Sequence, residues 1–218
     1  MDTTKSPSTD EVAEWVYVVD DDLSVREALS SLIRSVGLNV ETFSSAAAFL
    51  AVPRKSSPAC LILDVRMPDL SGLELQALLT RAGICIPIVF ITGHGDIPMA
   101  VRAIKHGAIE FLAKPFRDED LISAIRSALA RAHDDQHEAQ EIARVRQRFE
   151  QLTGREKEVV AYIVQGYLNK QVAAELGISE TTIKVHRHNI MSKMNVRTLP
   201  DLVRMMEKLA PSESKPRK

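Results

Sequence analysis

The chain has 218 residues, 45% hydrophobic and 26% charged, with a formal net charge of -1. That is enough for two modest domains, each with its own core. No apolar stretch approaches a membrane span, the polar first eleven residues lack the apolar core of a signal peptide, and no Cys/His spacing suits a metal. The near-neutral total hides an asymmetry. Residues 153–218 hold twelve Lys/Arg against seven Asp/Glu, which leaves the first 152 residues at -6. Only the carboxyl-terminal part is therefore suited to a polyanion. Cys60 and Cys85 lie in or beside apolar segments and read as reduced core thiols of a cytosolic protein.

Val16 to Val19 is a short β-rich run that stops on Asp20-Asp21-Asp22, three carboxylates that require a cation nearby. A helix over Leu23 to Val36 follows, with Val25, Leu29, Leu32 and Ile33 on one face and Gly37 as its stop. A strand is predicted at Asn39 to Phe43, then a small helix at Ser45 to Leu50 capped by Ser44 or Ser45. Leu61-Ile62-Leu63, introduced by Ala59-Cys60, forms a buried strand that ends on Asp64 and a Met67-Pro68-Asp69 turn. Gly72 breaks that turn before a helix at Leu73 to Arg81. Pro87 to Ile91 is the fourth strand, ending on Thr92-Gly93-His94-Gly95-Asp96, and Ile97 to His106 is the next helix. Ile109 to Ala113 is the fifth strand, ending on Lys114-Pro115-Phe116, and a helix begins near Asp118.

Five alternations of strand and helix predict a doubly wound parallel sheet with right-handed crossovers. Asp20, Asp21, Asp64, Thr92 and Lys114 then share the carboxyl rim, where open α/β sheets collect ligands. One strand-end acid would be a cap; four strand ends that each carry a polar group point to chemistry. The carboxylates offer hard oxygen ligands to Mg²⁺ (or Mn²⁺), while Lys114 and Thr92 suit a phosphoryl group placed on Asp64. The reaction implied is attack of a carboxylate on phosphorus.

No Gly or Pro occurs between Phe116 and Thr153, so a long helical connector is predicted, with a break near Asp134. Its apolar stripe suits either a zipper with a second copy or packing on its own domain. Thr153 and Glu156 form a capping box that opens a helix reaching about Gln165. A shorter helix, Asn169 to Leu176, ends at Gly177, and a third begins at Ser179 or Glu180 and runs to about Met194. This is a helix-turn-helix outline, whose second helix enters the major groove. Ile183, Ile190 and Met194 face the core, which leaves Thr181, Lys184, Val185, Arg187 and His188 outward. Thr198 caps a last helix, Leu199 to Leu209.

Through Val19-Asp20-Asp21-Asp22, Leu63 to Pro68, Ile91 to Gly95 and Ala113 to Phe116, residues 15–130 resemble the receiver domain of two-component response regulators. That resemblance makes Asp64 the phosphoacceptor, Asp20 and Asp21 the acidic metal pocket, and Arg66 a backbone-carbonyl ligand. Thr92 becomes the switch hydroxyl, Phe111 the aromatic that changes rotamer with it, and Lys114 the phosphate-contacting lysine, ahead of a cis Lys114-Pro115 bond. Residues 150–209 are similar to the LuxR-type (NarL/FixJ) DNA-binding domain through Leu152 to Glu156, Asn169 to Ala173, Leu176 to Ser179 and Thr182 to Met194. The resemblance brings Lys184, Val185 and His188 to base edges, and Thr181, Thr182, Arg187 and Lys193 to phosphates. Both halves together resemble the FixJ/NodW/StyR/TodT group, with Gly93, where many receivers have Ala, as a marker of the FixJ-like subgroup.

The implied organisation is a disordered tail at 1–13, a flavodoxin-like (βα)5 receiver at 14–131, a helical linker at 132–150, a four-helix LuxR-type domain at 151–209 and a tail at 210–218. The implied function is a cytoplasmic transcriptional activator phosphorylated on Asp64 by a cognate sensor histidine kinase. Phosphorylation would draw in Thr92 and Phe111, remodel the 97–106 and 118–131 surface, and promote homodimerisation on promoter DNA, where RNA polymerase is the further partner. No catalysis is expected beyond its own phosphorylation and dephosphorylation. A haloacid-dehalogenase-type phosphatase would want a second Asp at position 66, which is Arg66. A small-molecule sensor would want an apolar cavity where the rim here is ionic.

Overall fold

The computed structural model describes residues 13–93 and 97–209. The tails expected at 1–13 and 210–218, apart from Ala13, and the run His94 to Asp96 lie outside the described residues. The described residues divide into two compact units, 1–136 and 137–218.

In the first unit the five strands are β1 (Trp15–Val19), β2 (Asn39–Phe43), β3 (Ala59–Asp64), β4 (Ile88–Thr92) and β5 (Glu110–Ala113). All pair in parallel, in the order β2-β1-β3-β4-β5. Helices α1 (Leu23–Ser35), α2 (Ala46–Ala51), α3 (Gly72–Arg81) and α4 (Ile97–Lys105) fill the crossovers, and α5 (Asp118–Glu150) follows β5. Period-2 alternation sends the strands' side chains to two separate cores. Val16, Val18, Ile62, Val89 and Ile91 pack with Leu29 and Ile33 of α1 and with Leu121 and Ile125 of α5. Tyr17, Val19, Leu61, Leu63 and Phe90 pack with Phe49, Leu75 and Leu79. Because both faces are buried, a one-residue slip in any strand would exchange its entire side-chain set between cores. Register is thereby fixed, and with it the position of every residue at a strand's end.

Three local expectations are corrected. Cys60 is fully buried, and its burial pushes the thiol up to about 12, but Cys85 is exposed and belongs to no core. Gly72 opens α3 and does not merely break the preceding turn; Ser71 caps that helix in a capping box with Glu74. The break expected near Asp134 is absent, and α5 runs 33 residues. With no Gly or Pro to stop it, and with Arg131 paired to Asp135 at 3.0 Å one turn on, the polar run His133 to Gln136 stays helical.

The second unit comprises α6 (Gly154–Ile163), α7 (Asn169–Leu176), α8 (Glu180–Met194) and α9 (Leu199–Leu209), together with the end of α5. Its core joins Val145 and Leu152 to Val159, Val160, Ile163, Val172, Ile183, Ile190 and Met194. Gly177, at φ 65°, makes the left-handed turn between α7 and α8, a conformation that costs an L side chain energy but not glycine. Ser179 then caps α8 by accepting from the Thr182 N–H.

Candidate functional site

The strand order reverses between β1 and β3, and there the sheet leaves a crevice beyond its carboxyl ends. Asp20 follows β1 and Asp64 ends β3, so the ladder itself carries both acids to that crevice. Ladder bonds continue into the rim: Asp20 N–H donates to Phe43 O, Val65 N–H to Ile91 O, and Lys114 N–H to Thr92 O at 2.7 Å. Asp20, Asp21 and Asp64 offer carboxylate oxygens that all lie within 4.8 Å of one another.

The three adjacent acids after β1 have separate environments. Asp20 is fully buried, accepts from Asp22 N–H through Oδ1, and is paired through Oδ2 with Lys114 Nζ at 2.7 Å. Asp21 is exposed. Asp22 turns away as the N-cap of α1, accepting from Ser24 and Val25 N–H groups. Lys114 is thus the cation that the triple-acid run required, and it comes from the far end of the sheet.

Asp64 is 7% exposed. Its Oδ1 has no hydrogen-bond partner, and Lys114 Nζ stands 3.9 Å away. Burial pushes its carboxyl up to about 6; Lys114 opposes the rise, the Asp20 charge adds to it, and the Val65 and Arg66 N–H groups oppose it. A buried, orphaned carboxylate oxygen among hard oxygen donors fits a divalent ion of the Mg²⁺ type. Arg66 itself is exposed. Thr92 is fully buried at the end of β4, and Phe111 of β5 is half-buried, its ring 6.4 Å from that of Phe90. The Lys114-Pro115 bond is cis.

Two contributors to this rim were not singled out from the sequence. A Cβ on Gly72 would stand 2.3 Å from the Asp64 carbonyl oxygen, so α3 can start directly beneath the acid only with glycine there. Gly72 N–H also donates to Val65 O. Arg26 of α1 donates to the Asp20 carbonyl at 2.7 Å and holds that turn from the other side. The eight-residue spacing from Asp64 to a lone Gly was the available sign of the first; nothing local marks the second.

On α8, Ile183, Ile190 and Met194 are fully buried, while Thr181, Thr182, Lys184, Val185 and His188 are exposed. Val185 leaves 54% of its surface in solvent. Arg187 is half-buried. Lys193 does not join this group: its ammonium lies 2.7 Å from the buried Glu156 of α6.

Residues 16–126 match the response regulator receiver domain, and residues 150–206 match the bacterial regulatory proteins of the luxR family. The chain belongs to the LuxR-type response regulators. It is 54% identical to the response regulator protein TodT of Pseudomonas putida over 92% of this chain and 88% of that protein. It is 50% identical to nodulation protein W of Bradyrhizobium diazoefficiens over 89% of this chain and 86% of that one. Among solved structures, response regulator StyR aligns with a TM-score of 0.77 at 52% identity, covering 90% of this chain and 99% of that one.

This response regulator is accordingly a two-component transcription regulator, not a classical enzyme. Its receiver domain implies a histidine kinase as partner, and its LuxR-type domain implies DNA. Receiver domains bind Mg²⁺ through acidic residues, and Asp20, Asp21 and Asp64 are that cluster here. Among the described residues, no helix is long and apolar enough to cross a membrane.

Proposed function

We propose that a sensor histidine kinase phosphorylates Asp64 and that this modification drives promoter binding by the LuxR-type domain. The observation that carries the reading is the orphaned Asp64 Oδ1, buried and 3.9 Å from the Lys114 ammonium. With its carboxyl near 6, Asp64 is ionised at neutral pH and nucleophilic. The new O–P bond forms as the P–N bond to the kinase histidine breaks, and the histidine leaves with the electron pair. A divalent ion held by Asp20, Asp21, Asp64 and the Arg66 carbonyl would offset charge on the phosphoryl oxygens. Lys114, only 2.7 Å from Asp20, swings its ammonium between that acid and the arriving phosphoryl group.

In this reading Thr92 donates its hydroxyl to the new phosphoryl group, and Phe111 repacks into the space beside Phe90. Those shifts remodel the surface of α4, β5 and the start of α5, where Val101 and Ile104 are exposed apolar residues at 44% and 45%. Two copies joined there present two α8 helices to paired half-sites. Lys184, Val185 and His188 read bases, and Thr181, Thr182 and Arg187 contact phosphates. The organisation proposed is a receiver at 14–131, a linker at 132–150 and a DNA-binding domain at 151–209, in a cytoplasmic activator that works with RNA polymerase. Its own chemistry extends to its own phosphorylation and dephosphorylation.

Footprinting on genomic fragments, with and without acetyl phosphate and Mg²⁺, tests the whole chain of events. Protection should appear or extend only when both are present, and Asp64→Asn should abolish that response. A response of Asp64→Asn to the phosphodonor as large as that of the wild-type protein would overturn the proposal.

A further inference from the structure

Lys193 is the cation of the α8 contact set that pairs with a buried acid, whereas Lys184 pairs at 3.3 Å with the exposed Glu180 one turn back on its own helix. At 100° per residue, nine residues from Lys184 place Lys193 about 180° around the helix, away from Lys184 and His188. Its Nζ lies 2.7 Å from Oε2 of Glu156, which is only 3% exposed. The same Oε2 accepts from Thr153 N–H at 2.8 Å, and Thr153 Oγ1 accepts from Glu156 N–H at 3.3 Å. One carboxylate therefore closes the N-terminus of α6 and holds the last turn of α8. Although burial raises the Glu156 carboxyl, hydrogen bonds from Lys193 and Thr153 outweigh that and hold it below its ordinary value. At the same helix end, Arg148 of α5 donates to Met194 O at 3.5 Å.

We infer that Lys193 is a positioning residue and not a phosphate contact: with Glu156 it fixes the rotation of α8 about its axis, and so which of its side chains meet the bases. The inference rests on α8 being the DNA-reading helix. A charge pair is suited to this task because Ile183, Ile190 and Met194 are all apolar and tolerate sliding, whereas a buried carboxylate without its ammonium is strongly penalised. The connection is specific in direction and distance, and hydrophobic packing alone is not.

The test uses the full-length protein and two DNA probes. Binding to random-sequence duplex is measured against salt, and base preference is read by selection from a randomised duplex pool, at a temperature where circular dichroism shows every variant folded. Arg187→Met serves as the comparator and should lower the slope of log K against log salt by about one, the signature of a lost phosphate contact. Lys193→Met should leave the slope unchanged but flatten the selected base preference at least threefold. Glu156→Gln should do the same, and Lys193→Arg should restore the preference. A slope reduced by about one in Lys193→Met would overturn the inference, as would an unaltered base preference. If Arg187→Met leaves the slope unchanged and the wild-type protein selects no sequence, the reading of α8 as the DNA helix falls, and the positioning role falls with it.

Discussion

The rim of the receiver and the outer face of α8 are both polar, yet they are built on opposite principles. At the rim, Asp20 and Asp64 are buried, crowded and only partly offset by one lysine; an oxygen of Asp64 is left without a hydrogen bond. On α8, Thr181, Lys184, Val185 and His188 stand in water, at no electrostatic cost beyond ordinary solvation. The first region holds free energy that a ligand or modification can release, which is what a switch needs. The second only waits for a surface that complements it. Substitutions at the rim should therefore change stability as well as function, whereas those on α8 should change binding alone.

The sharpest break of this contrast is Lys114→Met. It leaves the buried Asp20 carboxylate without its partner and should cost about 3 kcal/mol in chemical denaturation. Adding Asp20→Asn should recover much of that loss, and neither variant should accept phosphate from acetyl phosphate. Next is Gly72→Ala, whose methyl group would collide with the Asp64 carbonyl; an unfolding free energy lowered by about 2 kcal/mol is expected, together with slower phosphorylation.

Asp64→Asn should act in the other direction. Because the folded carboxyl titrates near 6 and the unfolded one near 3.8, the folded state holds the extra proton between those values. The wild-type protein therefore loses stability from this group as pH rises from about 4 through about 6, and at pH 8 the whole penalty applies. Asp64→Asn removes it, so the variant should be about 2 kcal/mol more stable than the wild type at pH 8 and gain less at pH 5. Mg²⁺ should raise the wild-type melting temperature at pH 8 and do so less for the variant, which would show that the ion relieves the same tension. The smallest effect belongs to the other region. Val185→Ala should leave the melting temperature within about a degree and weaken sequence-specific binding by about 1 kcal/mol, read by competition against random duplex.

The same contrast explains what could be read in advance. Strands buried on both faces announce themselves as apolar runs, and the acids, hydroxyl and lysine that end them fall at one rim because parallel register leaves them nowhere else. Asp20, Asp64, Thr92 and Lys114 were legible as neighbours for that reason. Their individual partners were not: that Asp22 caps α1, that Arg26 grips the Asp20 carbonyl, and that Gly72 passes under Asp64 depend on side-chain directions within a turn. Cys85 was misplaced because an apolar neighbourhood in sequence does not require burial where the chain leaves α3 for β4. On α8 the period of 3.6 separated Ile183, Ile190 and Met194 from Thr181, Lys184 and His188 correctly. The same period sets Lys193 apart from Lys184 and His188, but its partner Glu156, from which the positioning role is inferred, lies 37 residues away and nothing local marks it.

The most direct test of the account is to locate the phosphoryl group. Full-length protein is treated with acetyl phosphate and Mg²⁺, its acyl phosphate is reduced with borohydride, and the peptides are mapped by mass spectrometry. The account predicts homoserine at position 64 in the wild-type protein, dependent on Mg²⁺ and absent without the phosphodonor. Reduction at Asp20 or Asp21 instead, or an unchanged Asp64 in protein that has demonstrably taken up phosphate, would contradict it.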